Sequence, residues 1–119
     1  MLSPEQITAV AFQALEDKKA QNVKILKTAE QTVLADYFVI CNGSSSTHIK
    51  ALVDAVDKAL SEAGEPPIRR EGLRSDIWVL MDFGSVIVHI FTDEARRFYD
   101  LERLWSDAEA VSPSSLPSP

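Results

Sequence analysis

The chain carries one cysteine, Cys41, so no disulfide can form within it. A reducing, intracellular setting fits that count but does not rest on it. Histidine is nearly as scarce. His48 and His89 are the whole supply, and no Cys-x-x-Cys or His-x-x-x-His spacing exists, which argues against a structural zinc. No lysine follows Gly43 in the P-loop position, and no second glycine stands at P-loop or dinucleotide-loop spacing. Basic residues are outnumbered: 12 Lys and Arg face 18 Asp and Glu, for a net charge of -6. Broad, non-specific nucleic-acid binding needs a basic face, so this balance argues against it. It is compatible with docking onto a basic protein partner. Long hydrophobic runs are missing too. The longest reach about five residues, against the ~20 that span a bilayer. The first ten residues, "MLSPEQITAV", hold no basic stretch followed by an apolar run, and no arginine. Neither a secretory signal nor a mitochondrial presequence is expected, and the expected location is the cytoplasm.

What is present suits one globular domain of 119 residues, with 45% apolar and 25% charged residues. At ~0.05–0.15 kcal/mol per residue its stability would be several kcal/mol. Ser3-Pro4-Glu5-Gln6 reads as a helix start, with Ser3 as cap, Pro4 at the first helical position and Gln6 completing a capping box. Ile7, Val10, Ala11, Ala14 and Leu15 follow at helical spacing. Residues 23–26, "VKIL", read as a strand. Residues 36–41, "DYFVIC", read as a second, apolar on both faces and therefore central. Ile49, Leu52, Val53, Val56 and Leu60 make the stripe of a second helix that stops at Gly64, a well-placed C′ glycine. Pro66-Pro67 bars continuation, and a short edge strand is expected near Ile68-Arg69. Residues 77–91 form a hairpin, and 94–105 one or two short helices. The expected class is α/β (α+β), a mixed sheet of about four to five strands with helices packed on it and a right-handed crossover through the second helix. The folded domain is expected over 1–106, with a disordered Ser/Pro-rich tail over 107–119.

The hairpin has two unlike faces. With Phe83-Gly84 as a tight turn, Asp82 pairs with Ser85, Leu80 with Ile87 and Trp78 with His89. Cross-strand partners share a face. One face then carries Ile77, Val79, Met81, Val86, Val88 and Ile90 and belongs under the helices. The other mixes Trp78, Leu80, Asp82, Ser85, Ile87 and His89, with Phe91 at its end. Such a mixture fits a protein-binding surface, with an aromatic anchor inside a polar rim. The alternative is a helix, carrying Trp105, that covers it.

The stretch after the central strand, "NGSSSTH", ends a strand and opens a helix, as phosphate-binding loops do. Gly43-Ser44 resembles the entry motif of nucleotidyltransferases, which also need paired carboxylates on the next strand to hold divalent metal ions. The next strand is roughly "PPIRR", with no Asp-x-Asp. The plain reading of the serines is a helix cap. Ser44, His48 and Asp54 could be drawn as a triad, but no nucleophile-elbow pattern supports one. The charged segment 93–105 reads as an amphipathic helix whose Leu101, Leu104 and Trp105 dock on the sheet.

Taken together, "ADYFVICNGSSSTHIKAL", "REG", "DIWVLMDFGSVIVHIF" and "EARRFYDLERLW" resemble the ribosomal silencing factor, or Iojap-like, family over roughly residues 4 to 107. Each motif is weak alone, but they stand in order at the family's spacing. The resemblance implies a nucleotidyltransferase-like fold without the catalytic carboxylates, no enzymatic activity and no cofactor. It implies binding to the large ribosomal subunit through its L-fourteen protein, a block on small-subunit joining, lower translation when nutrients are short, and a part in late large-subunit assembly. Free members pair as homodimers. Carried over by position, Trp78 contacts the ribosomal protein, with Asp82 and Phe83 beside it at the turn and Glu71, Tyr99 and Glu102 near the same surface. Ser85 departs from the pattern, where an acid is common, and the Ser/Pro tail lies outside it. A reading of another class is a nucleotidyltransferase-like nucleotide-binding protein using the Gly43-Ser44 loop. A third is a dimeric adaptor whose Trp78 face joins two copies.

Overall fold

A computed structural model describes residues 2–28, 35–72, 77–104 and 106–118. Its first helix, α1 (Pro4–Asp17), begins as the sequence indicates. Ser3 Oγ accepts the Gln6 N–H, and the Gln6 side chain accepts the Ser3 N–H in return. Strand β1 (Gln21–Lys27) returns alongside β2 (Tyr37–Gly43), antiparallel to it. Every residue of β2 is buried, which is why it is apolar on both faces. Helix α2 (Ser46–Glu62) buries the expected stripe of Ile49, Leu52, Val53, Val56 and Leu60. Gly64 ends it at φ +86°, its N–H donating to Ser61 and the Glu65 N–H to Leu60, a Schellman closure.

The chain then makes the edge strand β3 (Arg69–Glu71), the hairpin strands β4 (Trp78–Asp82) and β5 (Val86–Thr92), and two short helices, α3 (Asp93–Tyr99) and α4 (Leu101–Leu104). Strand β6 (Glu109–Ala110) and a 3₁₀ turn (Pro113–Ser115) follow. Among the described residues the sheet has six strands, ordered β3-β4-β5-β2-β1-β6. Only β2 and β5 run parallel. Helices α1 and α2 cover one face over the larger core, which includes Leu15, Val39, Leu52, Met81, Val88 and Ile90. The other face packs Leu26, Phe38, Ile40, Ile87 and Phe91 against Ala95 of α3, with Leu101 of α4 alongside.

Three expectations are corrected. The sheet has six strands, not four or five, because the Ser/Pro-rich tail supplies one. That segment is not disordered. Leu26 pairs with Ala110, the Val111 N–H donates to the Ile25 carbonyl at 2.9 Å, and Val111 and Leu116 pack against the helix-side core. Composition misleads here because strand addition is made by the backbone, and two apolar side chains suffice to anchor it. The hairpin register is also two residues off the expected one. Asp82 pairs with Ile87, Leu80 with His89 and Trp78 with Phe91. The turn is centred one residue later, on Gly84-Ser85: the Phe83 N–H donates to the Val86 carbonyl and the Gly84 N–H to Asp82 Oδ1. An even slip keeps parity, so both faces keep their expected members. Ile77 is the exception: it precedes β4 and is largely exposed.

Candidate docking face

The mixed hairpin face carries a row of aromatic rings that runs from the interior to solvent. Phe38 on β2 is buried, with its ring centroid 5.0 Å from His89 on β5. Phe91, one pleat further along β5, is fully buried and lies parallel to the His89 ring. Trp78 lies directly across the ladder and stacks on Phe91 at 5.0 Å and 24°. Tyr99, at the end of α3, meets Trp78 at 4.9 Å, and Phe98 meets Tyr99 edge-on at 5.1 Å. Exposure rises along the row: Trp78 is half-buried, Tyr99 is 44% exposed and Phe98 80%. The alternative of a covered face therefore holds for its centre, under Ala95 and Leu101, and not for its edge at Trp78. Trp105, the other half of that expectation, lies outside the described residues.

Two shallow clefts flank Trp78. One, of about 220 Å³, is lined by Glu71, Gly72, Trp78 and Leu80. Gly72 makes it: its φ is +81°, and a Cβ there would overlap the carbonyl oxygen of Trp78. Only glycine lets β3 leave the sheet this close to the β4 backbone. The other cleft, of about 340 Å³, lies between Ile77 and the α3 residues Glu94, Ala95, Phe98 and Tyr99.

The arm that brings Tyr99 to Trp78 is held by Arg96. Its guanidinium donates to Glu102 Oε1 at 2.7 Å, the Asn22 carbonyl at 2.6 Å and Asn42 Oδ1 at 2.9 Å. Asn42, almost fully buried at the end of β2, also donates to Asp93. Lys24 adds a second cation to Glu102 at 3.4 Å. The Arg96 hydrogen bond holds the Glu102 carboxyl below its usual range. Asp100, left-handed at φ 45°, turns the chain from α3 into α4.

The predicted contact residues thus separate. Trp78, Tyr99 and Glu71 come together around the half-buried indole. Asp82 shares the face but lies four residues along the strand, roughly 13 Å away at ~3.3 Å per residue. Its carboxylate caps the turn at Gly84 and meets Arg69 at 3.3 Å. Phe83 is not beside Trp78: it is buried with the helix-side core, on the opposite face of the sheet. Glu102 serves the Arg96 network. Phe98 and Ile77 were not singled out as contacts from sequence. For Phe98 the signal is the doublet Phe98-Tyr99: neighbours on a helix point about 100° apart, so both rings bury only on a wide apolar face, and this helix is mostly charged; no local pattern marks Ile77.

The Gly43-Ser44 loop is closed on itself. Ser45 Oγ caps α2 by accepting the His48 N–H. The Ser44 N–H donates to His48 Nδ1 at 2.9 Å, and His48 Nε2 sits 2.7 Å from the Lys18 carbonyl. That carbonyl occupies the place a triad would give to its carboxylate, so Ser44 and His48 meet without Asp54. Gly43 is required by packing: a Cβ would run into Ile49. Cys41, fully buried, has its thiol pushed up to about 12 by burial and is no nucleophile. Among the described residues, no three His, Cys, Asp or Glu side chains are grouped to hold a metal ion, and no helix is long and apolar enough to cross a membrane.

These features define a small α+β protein with a mixed sheet, whose distinctive surface is an aromatic edge flanked by acids. The comparison with known proteins is specific. The chain belongs to the ribosomal silencing factor (RsfS) family: the family model described as "Ribosomal silencing factor during starvation" matches residues 2–119. The match runs through the tail, beyond the residue 107 at which the motif resemblance stops. The chain is similar to the ribosomal silencing factor RsfS of Halalkalibacterium halodurans, at 37% identity over 110 residues, covering 92% of this chain and 94% of that one. It is 35% identical to RsfS of Bacillus subtilis over 107 residues, covering 90% and 91%. A crystal structure of a Chromobacterium violaceum protein superposes with a TM-score of 0.86 at 36% identity, covering 88% of each chain.

Proposed function

We propose that the chain silences ribosomes by binding the large subunit through its L-fourteen protein, with the Trp78 edge as the contact. The bound protein then stands where the small subunit must join. Nothing in this reading turns over: it is occupancy, not catalysis, and it needs no cofactor. It places the protein in the cytoplasm, extends to late large-subunit assembly, and has the free chain pairing with a second copy.

One observation carries the reading. A half-buried tryptophan is held from beneath by Phe91 and His89 and from the side by Tyr99, beside exposed Ile77 and Phe98. A rigid aromatic anchor of this kind presents a large area at little loss of side-chain freedom, which is how interface hot spots work. The net charge of -6 favours approach to a basic ribosomal protein.

The test is co-sedimentation with purified large subunits, comparing wild type with Trp78→Ala. Loss of a central anchor of ~2 kcal/mol should weaken binding about thirtyfold. Wild type should also reduce the yield of joined particles when both subunits are mixed. A wild type that never pellets with the large subunit, or a variant that pellets equally well, refutes the assignment.

A further inference from the structure

His89 is an odd residue to find where it is. It is 3% exposed, in the middle of the sheet, on a strand whose other residues are aliphatic or aromatic as far as the terminal Thr92. Its Nδ1 lies 3.2 Å from the indole N–H of Trp78. The indole nitrogen can only donate, so Nδ1 accepts and the imidazole proton sits on Nε2. That Nε2–H is buried and has no acceptor among the described residues. An orphaned buried donor costs free energy that an apolar residue would not. Leucine or phenylalanine would fill the same volume without it. The other groups around it are apolar: the rings of Phe38 at 5.0 Å, Phe91 at 6.1 Å and Trp78 at 5.9 Å, with Ile40 and Leu80 opposite it on the flanking strands. What the imidazole offers that a hydrocarbon does not is one acceptor, and the group using it is Trp78.

From this geometry we infer that His89 is a positioning residue for the docking face: it orients the Trp78 indole by accepting its N–H, so that the anchor is preset before a partner arrives. Stacking on Phe91 fixes the plane of the indole but leaves its direction within that plane free. A hydrogen bond to one atom of the ring removes that freedom. Tyr99 then closes on the outer side of an indole that is already placed. A preset anchor loses less freedom on docking, and the gain appears in affinity without a new contact to the partner. His89 itself is too deeply buried to touch anything outside the fold.

The inference rests on the reading of Trp78 as the contact, and the experiment keeps the two apart. His89→Leu removes the acceptor and the orphaned donor together. His89→Asn keeps an acceptor near the position of Nδ1. Large-subunit binding, thermal stability and the indole N–H resonance of Trp78, assigned by its loss in Trp78→Phe, are measured for each. The leucine variant should be as stable as wild type or more so, move the indole resonance, and bind about threefold to tenfold more weakly, the range of one net hydrogen bond. The asparagine variant should bring both resonance and binding back toward wild type. If the leucine variant binds as wild type while Trp78→Ala does not, the inference falls and the contact reading stands. If Trp78→Ala binds as wild type, the contact reading falls and takes the docking role of His89 with it. An indole resonance unmoved by leucine overturns the orientation in either case, and if the leucine variant does not fold, the asparagine variant and its resonance decide alone.

Discussion

Acid should destabilise this protein through His89 in a window that a single substitution removes. Burial lowers the His89 pKa from the ordinary 6.5 to about 4 in the folded state. Above 6.5 the imidazole is neutral folded and unfolded alike, and pH has no hold on stability through it. Between 6.5 and 4 the unfolded chain takes up a proton that the folded chain refuses, so stability falls as pH falls. Below 4 both states are charged and the loss is complete. At ~1.36 kcal/mol per pH unit the total is ~3 kcal/mol, a large part of the several kcal/mol available to a domain of this size. Glu102, held below its usual range by Arg96, adds its own loss, but beginning lower, as pH falls through the carboxylate range. The assay is urea unfolding at fixed salt from pH 7.5 to 4, on wild type and His89→Leu. Wild type should lose most of this stability between pH 6.5 and 4.5, and the leucine variant should be nearly flat there. Parallel curves for the two proteins would refute the reasoning, since they would place the lost proton elsewhere.

Two further substitutions test how the face is built. Gly72→Ala puts a Cβ against the Trp78 carbonyl at a left-handed φ of 81°. It should cost ~2–3 kcal/mol by denaturant midpoint, or detach β3 and weaken large-subunit binding with little change in the rest of the sheet by amide exchange. Arg96→Met unpairs the Oδ1 of buried Asn42 and the Asn22 carbonyl and leaves Glu102 with Lys24 alone. A loss of ~2–3 kcal/mol is expected in thermal or urea unfolding, with faster amide exchange in α3 and α4; unchanged exchange would mean that the arm is held by packing alone.

The sequence was most legible where a single periodicity decides. Ile49, Leu52, Val53, Val56 and Leu60 lie on one helix face and are all buried, and Tyr37–Gly43 is buried throughout, and apolar as far as Cys41, because it is flanked on both sides and covered on both faces. The hairpin faces survived a wrong register because a two-residue slip does not alter parity. The place of Trp78 on the mixed face follows from the same rule. What stayed hidden depends on contacts between distant segments. Arg96 meets residues 22, 42 and 102 at once, and no local pattern announces that. Phe83 looked like a turn residue, yet one step past Asp82 reverses its face and sends it under the helices. Strand β6 is paired through backbone groups, which composition does not report.

The fate of the acids bears on how the face would work. Asp82 is taken by Arg69 and the turn, and Glu102 by Arg96 and Lys24, so neither carboxylate stands ready for a partner without first giving up an internal contact. At the rim are Glu71, in an exposed pair with Arg69 at 3.3 Å, and Glu94 beside the Ile77 cleft. An exposed pair is worth ~0–1 kcal/mol and is readily exchanged for another. On the proposed reading, charge on this protein attracts a basic surface from a distance, where the net charge of -6 acts, and contributes little at contact. The holding falls to the rings. Salt should then slow association while leaving the residence time nearly unchanged, whereas Trp78→Ala or His89→Leu should shorten the residence time and leave the rate of arrival alone. That division follows from where the structure commits its carboxylates, and under the proposed function it accounts for an aromatic row, rather than an acidic patch, at the edge that would meet a basic partner.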